Sequence, residues 1–243
     1  MPALGCQTRC DETVPPRQRR VPQFVLRKSL GVYTCRNASV VADKGKKRAA
    51  RDRPWCDLVA IGASAGGLPA LANVLGSIDS DFPAIIIVQH LDPRHKSQMA
   101  SLLTRKARKP VKEAEDGEAI IRGTIYIGPP DEHLLVSGGK IQLAHSRLIR
   151  FSRPSIDIMF GAVAATYGPR AIGVILSGSN RDGADGIAAI KRAGGITLAQ
   201  DPATAEYRIM PQAAIDTGCV DIVLPLDEIG EKLSQIFARS KEK

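Results

Sequence analysis

Short apolar segments alternate with amphipathic segments along most of the chain. Residues 57–62 and 84–88 are apolar runs of strand length, which is typical of strands that are buried on both faces of a sheet. Between them, apolar residues recur every three or four positions over 68–78, and this period predicts an amphipathic helix. A second helix is predicted around Met99, so the pattern opens as strand, helix, strand, helix.

The middle of the chain has a different pattern. Residues 124–127 predict a further strand, and the apolar residues on both sides of the turn sequence 137–140 predict a β-hairpin. Ser155 can cap a helix whose apolar face extends to Tyr167, where a Gly-Pro pair ends it.

Strand and helix patterns alternate again in the last third of the chain. The predicted strands are 171–176, 196–199 and 220–224, and the predicted helices are 187–193, 211–218 and 229–237. We therefore expect an α/β fold, with a doubly wound, mostly parallel sheet, helices on both faces and a small antiparallel hairpin insertion.

Charge divides the chain into two parts. The formal net charge is +9, and residues 1–54 contain thirteen Lys or Arg against four Asp or Glu, so the whole excess lies there. We predict a basic, mostly disordered tail over 1–54 and one domain of balanced charge over 55–240, with no nucleic-acid partner. The tail is either a solvated extension or a tether to an acidic partner or a membrane surface.

The composition also bears on location and metal binding. No apolar run approaches the roughly 18 residues of a membrane-spanning helix, and the first ten residues lack a signal-peptide pattern. The five cysteines do not suggest a disulfide framework, and Cys6 and Cys10 have no further zinc ligands nearby. We therefore expect a cytoplasmic protein without a metal site.

A glycine-rich turn after the first predicted strand carries the first candidate chemistry. Ligands of an open parallel sheet bind outside the carboxyl ends of its strands. Gly62 and Gly66 allow a tight strand-to-helix turn that exposes Ser64 at its tip. The backbone N–H groups of Ala65 and Gly66 can then stabilise an oxyanion. The alternative is a phosphate-binding or dinucleotide-binding loop, although no acid follows the second strand to hold a ribose.

A serine hydroxyl becomes a good nucleophile only when a neighbouring base takes its proton. His90 ends the second predicted strand, and Asp182 lies in the loop after a strand of the same sheet. We predict a catalytic triad of Ser64, His90 and Asp182, in which the acid orients the imidazole. Asp185, which the pattern places at the start of a helix, is the competing candidate for the acid.

Four other ionisable residues have simpler interpretations. His133 follows two prolines at a predicted turn and is expected to be structural, and His145 is expected to be solvated. His95 is a candidate substrate contact in a loop. Arg153 either contacts an acidic substrate or braces its own loop, and the sequence does not decide between these roles.

Six segments, taken together and in this order, carry a resemblance to a known family. They are AIGASAGG at 60–67, VQHL at 88–91, KEAEDG at 112–117, YIGPPDEH at 126–133, RPSID at 153–157, and GVILSG with DG within 173–183. On these residues the chain resembles the catalytic domain of the chemotaxis protein-glutamate methylesterase (CheB) family. The resemblance extends over about residues 57–237.

The resemblance implies hydrolysis of glutamyl methyl esters on methyl-accepting chemotaxis receptors, with release of methanol, and deamidation of particular receptor glutamines. It implies Ser64 as nucleophile, His90 as base and Asp182 as orienting acid, in agreement with the residue-based prediction, and no metal or organic cofactor. The loop before the acid departs from the family pattern, because Ser179 and Asn180 stand where the family often has Met and Gly. Ser179 is therefore a candidate residue of the ester-binding pocket, whose shape is expected to differ from that of the family.

Two other functions remain open at this point. One is a non-catalytic interaction module derived from this esterase, and the other is an esterase or amidase that acts on a non-receptor protein. Most members of the family carry a phosphorylatable receiver domain before the hydrolase, and residues 1–54 are too short for one. We therefore expect no regulation by phosphorylation in cis.

Overall fold

The structure is a computed structural model, and it describes residues 56–90 and 98–239. The predictions for the tail over 1–54 and for His95 lie outside the described residues. The described residues form nine strands and six α-helices. In chain order these are β1 (Leu58–Ala63), α1 (Gly67–Ser77), β2 (Ala84–Gln89), α2 (Met99–Ala107), β3 (Val111–Glu113), β4 (Ile125–Ile127), β5 (His133–Ser137), β6 (Lys140–Ala144), α3 (Ile156–Tyr167), β7 (Ala171–Ile175), α4 (Ala184–Arg192), β8 (Ile196–Gln200), α5 (Ile209–Ile215), β9 (Ile222–Leu224) and α6 (Leu226–Arg239).

Seven strands form one sheet in the order β3-β4-β2-β1-β7-β8-β9, and every neighbouring pair is parallel. Strand β1 lies at the centre. It pairs with β2 so that Ala63 lies opposite Gln89, and with β7 so that Gly62 lies opposite Ile175. The predicted doubly wound α/β fold is therefore confirmed.

The side chains of the central strands alternate between two apolar cores. In β1, Val59 and Ile61 contribute to the core that includes residues of α1, α2 and α6. Leu58 and Ala60 contribute to the core that includes residues of α3, α4 and α5. Strands buried on both faces carry apolar residues at nearly every position, which is why the sequence shows continuous runs there.

The predicted hairpin is also confirmed. Strands β5 and β6 pair antiparallel, with Val136 opposite Ile141, and the hairpin packs against α3. No helix of the described part of the chain is long and apolar enough to cross a membrane.

Both outer strands of the sheet differ from the sequence prediction. Strand β3 was not predicted, because its three half-buried residues include Lys112 and Glu113 and show no period. Strand β9 is shorter than the predicted 220–224. Asp221 lies just before the strand, and its carboxylate accepts hydrogen bonds from the backbone N–H and the hydroxyl of Thr197.

The connections at the centre of the sheet determine where a ligand can bind. Strands β2 and β7 lie on opposite sides of β1, and α1 and α4, which follow β1 and β7, contribute to opposite cores. Loops diverge at such a switch point and leave a crevice at the carboxyl ends of the strands. The strands that border this crevice are those that precede Ser64, His90 and Asp182.

Candidate active site

A sharp turn between β1 and α1 holds Ser64. Gly66 has a left-handed backbone, with φ of 69°, and is the N-cap of α1. At Gly67, a Cβ would lie 2.0 Å from Gln89 Oε1 and 2.8 Å from Ala63 Cβ. The turn therefore requires glycine at Gly66 for its backbone conformation and at Gly67 for the close approach of its neighbours.

We expect Gly66→Ala to lower the free energy of unfolding by about 2–4 kcal/mol. The left-handed backbone accounts for about 1–2 kcal/mol of this loss. The rest arises because the added methyl would lie 2.8 Å from Ser177 Oγ. Gly138→Ala is the matched control, because its φ is 58° and nothing lies within 4 Å of its added Cβ. Urea unfolding measures both losses, and equal losses would contradict the argument from crowding.

Two polar side chains, those of Gln89 and Ser177, hold the turn by hydrogen bonds to its backbone. Gln89 Nε2 donates to the carbonyl oxygen of Ser64 at 2.7 Å and to that of His90 at 3.0 Å. Ser177 Oγ donates to the carbonyl oxygen of Ala65 at 2.8 Å, and the Ser177 carbonyl accepts from the Ser64 N–H at 3.0 Å. Ser64 is therefore fixed through its backbone, while its hydroxyl faces His90.

The structure brings Ser64, His90 and Asp182 into one hydrogen-bonded chain. Ser64 Oγ lies 3.2 Å from His90 Nδ1, and His90 Nε2 lies 2.9 Å from Asp182 Oδ2. The ionised carboxylate accepts only, so the imidazole proton is assigned to Nε2. Nδ1 then carries a lone pair that can accept the Ser64 proton. The two ring nitrogens have exchanged roles relative to the serine-protease triad, in which Nε2 faces the serine.

Asp182 is fully buried and receives four hydrogen bonds. Oδ2 accepts from His90 Nε2 and from the Ile156 N–H at 2.7 Å, and Oδ1 accepts from Ser155 Oγ at 2.9 Å and the Asp157 N–H at 3.1 Å. Burial opposes ionisation, but the hydrogen bonds from His90 and the backbone outweigh it and lower the pKa of Asp182. The carboxylate is therefore ionised at neutral pH and stabilises a protonated imidazole.

A second carboxyl group, which is partly exposed, supports the loop that contains Asp182. Asp157 Oδ1 accepts from the backbone N–H groups of Gly183 and Gly186 at 2.9 and 2.8 Å. Burial and the nearby Asp182 raise the pKa of Asp157 to about 7. Asp185, the competing candidate for the triad acid, forms an exposed ion pair with Arg150 at 2.6 Å, so Asp182 is the carboxylate that faces His90.

The candidate oxyanion donors lie beside the serine. Among the described residues, no acceptor is bonded to the N–H groups of Ala65, Gly66 or Ser179. The first two precede α1, whose N-terminus favours negative charge. Ser179 is exposed in the loop after β7, so its N–H is a further candidate donor from the other side of the crevice. The arrangement can stabilise a tetrahedral oxyanion next to a serine nucleophile.

The remaining described candidates form no hydrogen bond with Ser64. His133 is buried, accepts from the Ser155 N–H at 3.1 Å and contacts the Arg147 carbonyl, and burial lowers its pKa. His145 is exposed. Arg153 donates to Asp131 Oδ1 at 2.9 Å and to the Ser146 carbonyl, an arrangement that braces its loop.

Sequence reasoning missed part of the site. It gave Ser155 the role of a helix cap, and Ser155 Oγ does accept from the Ile158 N–H, but the same hydroxyl also donates to Asp182. Asn180 was noted only as a departure from the family, yet its Nδ2 lies 3.2 Å from His90 Nδ1. No pattern in the sequence indicates either contact, because each joins distant segments or depends on the conformation of one loop. No cluster of three metal-binding side chains occurs in the described ranges.

A family model and a solved structure both relate this chain to one family of hydrolases. The family model described as CheB methylesterase matches residues 59–233. The crystal structure of the Thermotoga maritima CheB methylesterase catalytic domain superposes with a TM-score of 0.71 and 36% sequence identity. The match covers 74% of this chain and 98% of that domain.

Two curated relatives have names that give the same activity. A protein-glutamate methylesterase/protein-glutamine glutaminase of Anaeromyxobacter dehalogenans is 42% identical over 195 residues, which are 80% of this chain but 56% of that protein. A provisionally named methylesterase/glutaminase of Leptospira interrogans is 40% identical over 185 residues, 75% of this chain and 94% of that protein. The similarity thus spans about half of the longer relative and nearly all of the shorter one.

Proposed function

Because this chain belongs to the CheB methylesterase family, we propose that it is a serine hydrolase that demethylates glutamyl methyl esters on chemotaxis receptors and deamidates particular receptor glutamines. The observation that carries the proposal is the continuous hydrogen-bonded chain from Ser64 through His90 to the buried Asp182. These three residues lie at the switch point of the parallel sheet, which is where ligands of such sheets bind.

Acylation begins at the contact between Ser64 Oγ and His90 Nδ1. His90 Nδ1 takes the proton of Ser64 Oγ as the oxygen attacks the ester carbonyl carbon. The tetrahedral oxyanion is stabilised by the N–H groups of Ala65 and Gly66, with Ser179 on the other side of the crevice. Asp182 stabilises the imidazolium through Nε2–H. The proton on Nδ1 then passes to the leaving oxygen, and methanol departs.

Deacylation repeats the same proton transfers with water. His90 takes a proton from the water as it attacks the acyl-enzyme, and returns it to Ser64 Oγ when the acyl bond breaks. The product is a receptor glutamate. A glutamine side chain follows the same route with ammonia as the leaving group, so one site serves both reactions.

The receptors are the proposed partners, and the cytoplasm is the proposed location of the reaction. The intact triad supports an enzyme over a non-catalytic interaction module. An esterase that acts on a non-receptor protein would use the same catalytic residues but would release no methanol from receptor membranes.

The direct test is release of methanol from membranes that contain receptors carrying labelled methyl groups. We expect the full chain to release labelled methanol and to lose this activity after reaction with a fluorophosphonate, which labels activated serines. Labelling of Ser64 without methanol release would point to a non-receptor substrate. Absence of labelling in the folded protein would contradict the hydrolase and favour the interaction module.

A further inference from the structure

Asn180 lies in the loop between β7 and α4, and its side chain contacts the general base. Asn180 Oδ1 accepts from the Asp182 N–H at 3.0 Å, and Asn180 Nδ2 lies 3.2 Å from His90 Nδ1. The first contact determines how the amide is oriented, because a backbone N–H can only donate. The group that faces His90 is therefore the NH2 group, which is also a donor.

Two donors consequently face one acceptor. A neutral imidazole with its proton on Nε2 has a single lone pair in the ring plane, at Nδ1. Ser64 Oγ and Asn180 Nδ2 each lie 3.2 Å from this nitrogen. In the resting enzyme, the Asn180 amide therefore competes with the Ser64 hydroxyl for the atom that must take the serine proton.

Protonation of His90 reverses the sign of the Asn180 contact. Once Nδ1 carries a proton it is a donor, and it then faces the donor NH2 group of Asn180. The ring does not depend on Asn180 for its orientation, because Asp182 Oδ2 already holds Nε2 at 2.9 Å and is itself fully buried. The amide therefore favours the unprotonated ring and opposes the proton transfer that activates Ser64.

The charged surroundings of His90 do not provide the same effect. Among the described residues, the ionisable group in contact with the ring is Asp182. Asp157 accepts from the backbone N–H of Gly183, and Arg150 pairs with Asp157 and Asp185. Asp182 favours a protonated ring, whereas Asn180 acts in the opposite direction. The Ser64 hydroxyl can rotate to accept a hydrogen bond from a protonated ring, but the Asn180 NH2 group can only donate.

We propose that Asn180 is a positioning residue that weakens His90 as a base in the resting enzyme and so restrains Ser64 until substrate displaces the amide. This inference rests on the proposed hydrolase. It assigns a role to the residue that stands where the family often has glycine, and it predicts that removing the side chain increases the reactivity of Ser64.

The test measures the rate at which a fluorophosphonate labels Ser64 in the full chain between pH 5 and 9. In this reaction Ser64 Oγ bonds to phosphorus, the P–F bond breaks, fluoride leaves, and His90 Nδ1 takes the proton. We expect Asn180→Ala to raise the plateau rate by up to about tenfold. We also expect it to move the midpoint of the acidic limb upward by about 0.5–1 pH unit.

Asn180→Asp changes the hydrogen bond to His90 while keeping nearly the same side-chain shape. It keeps the oxygen that accepts from the Asp182 N–H but replaces the donor that faces Nδ1 with an acceptor, which favours the protonated ring. We expect a midpoint above that of Asn180→Ala and a rate at pH 7 below that of the wild type. Arg181→Lys is the control in the same loop, because its side chain is exposed and its charge is kept.

The outcomes distinguish this inference from the proposed function. An Asn180→Ala variant that melts like the wild type and labels more slowly with an unchanged midpoint would overturn the inference, because a merely structural residue behaves in that way. If the wild type itself is not labelled, the proposed hydrolase fails first, and the inference fails with it.

Discussion

Ser64→Ala is expected to reduce methanol release by at least about 10⁴-fold while leaving the fold intact. Removal of the nucleophile of a triad abolishes the covalent route and leaves only the contribution of the oxyanion donors and substrate binding. Within the described residues, the hydroxyl bonds only His90, whereas the backbone bonds of Ser64 to Ser177 and Gln89 do not involve the side chain. The free energy of unfolding should therefore change by less than about 1 kcal/mol.

The measurement compares methanol release and thermal unfolding of Ser64→Ala with those of Ser137→Ala. Ser137 is exposed at the end of β5, so its substitution controls for the loss of a hydroxyl. Methanol release that persists in folded Ser64→Ala would exclude Ser64 as the nucleophile. Receptor binding that persists without turnover would separate substrate recognition from chemistry.

Asp182→Asn is expected to lower both activity and stability. Loss of the carboxylate charge in a triad reduces turnover by about 10⁴-fold. In addition, each oxygen of Asp182 accepts from one backbone N–H, that of Ile156 or that of Asp157. Whichever way the new amide is oriented, its NH2 group faces one of these donors. A buried donor without an acceptor lowers the free energy of unfolding by about 1–3 kcal/mol.

Asp185→Asn is the matched control for this substitution. Asp185 lies three positions away and pairs with Arg150 at the surface, where the contribution of an ion pair is about 0–1 kcal/mol. We expect its turnover to remain within a few-fold of the wild type. Denaturant unfolding and methanol release measure both effects. A larger loss of turnover in Asp185→Asn than in Asp182→Asn would reverse the assignment of the triad acid.

The sequence predicted the centre of the fold better than its edges. Strands β1, β2 and β7 are buried on both faces, so their burial requires continuous apolar runs that are easily recognised. Strand β3 lies at the edge of the sheet, where three half-buried residues pair on one side only. Its Lys112 bonds Glu115 and Glu118, and this polar environment leaves no apolar pattern to detect.

The three triad candidates were predictable for a related reason. Each follows a buried strand of one parallel sheet, and the carboxyl ends of such strands meet at one edge. The supporting contacts were not predictable in this way. Ser155 reaches Asp182 from the start of α3, and Asn180 reaches His90 through the conformation of its own loop. Nor does any sequence pattern reveal which ring nitrogen of His90 faces the serine.

The pairing of β1 with β2 makes the spacing between Ser64 and His90 a property of the backbone. Ala63 lies opposite Gln89, and the Gln89 amide bridges the carbonyl groups of the next residue on each strand, Ser64 and His90. A slip of one residue would move His90 by about 3.3 Å and turn it to the other face of the sheet. The spacing between the two proposed catalytic residues is therefore set by strand register inside the hydrophobic core. We expect partial loosening of the centre of the sheet to end activity before the chain unfolds.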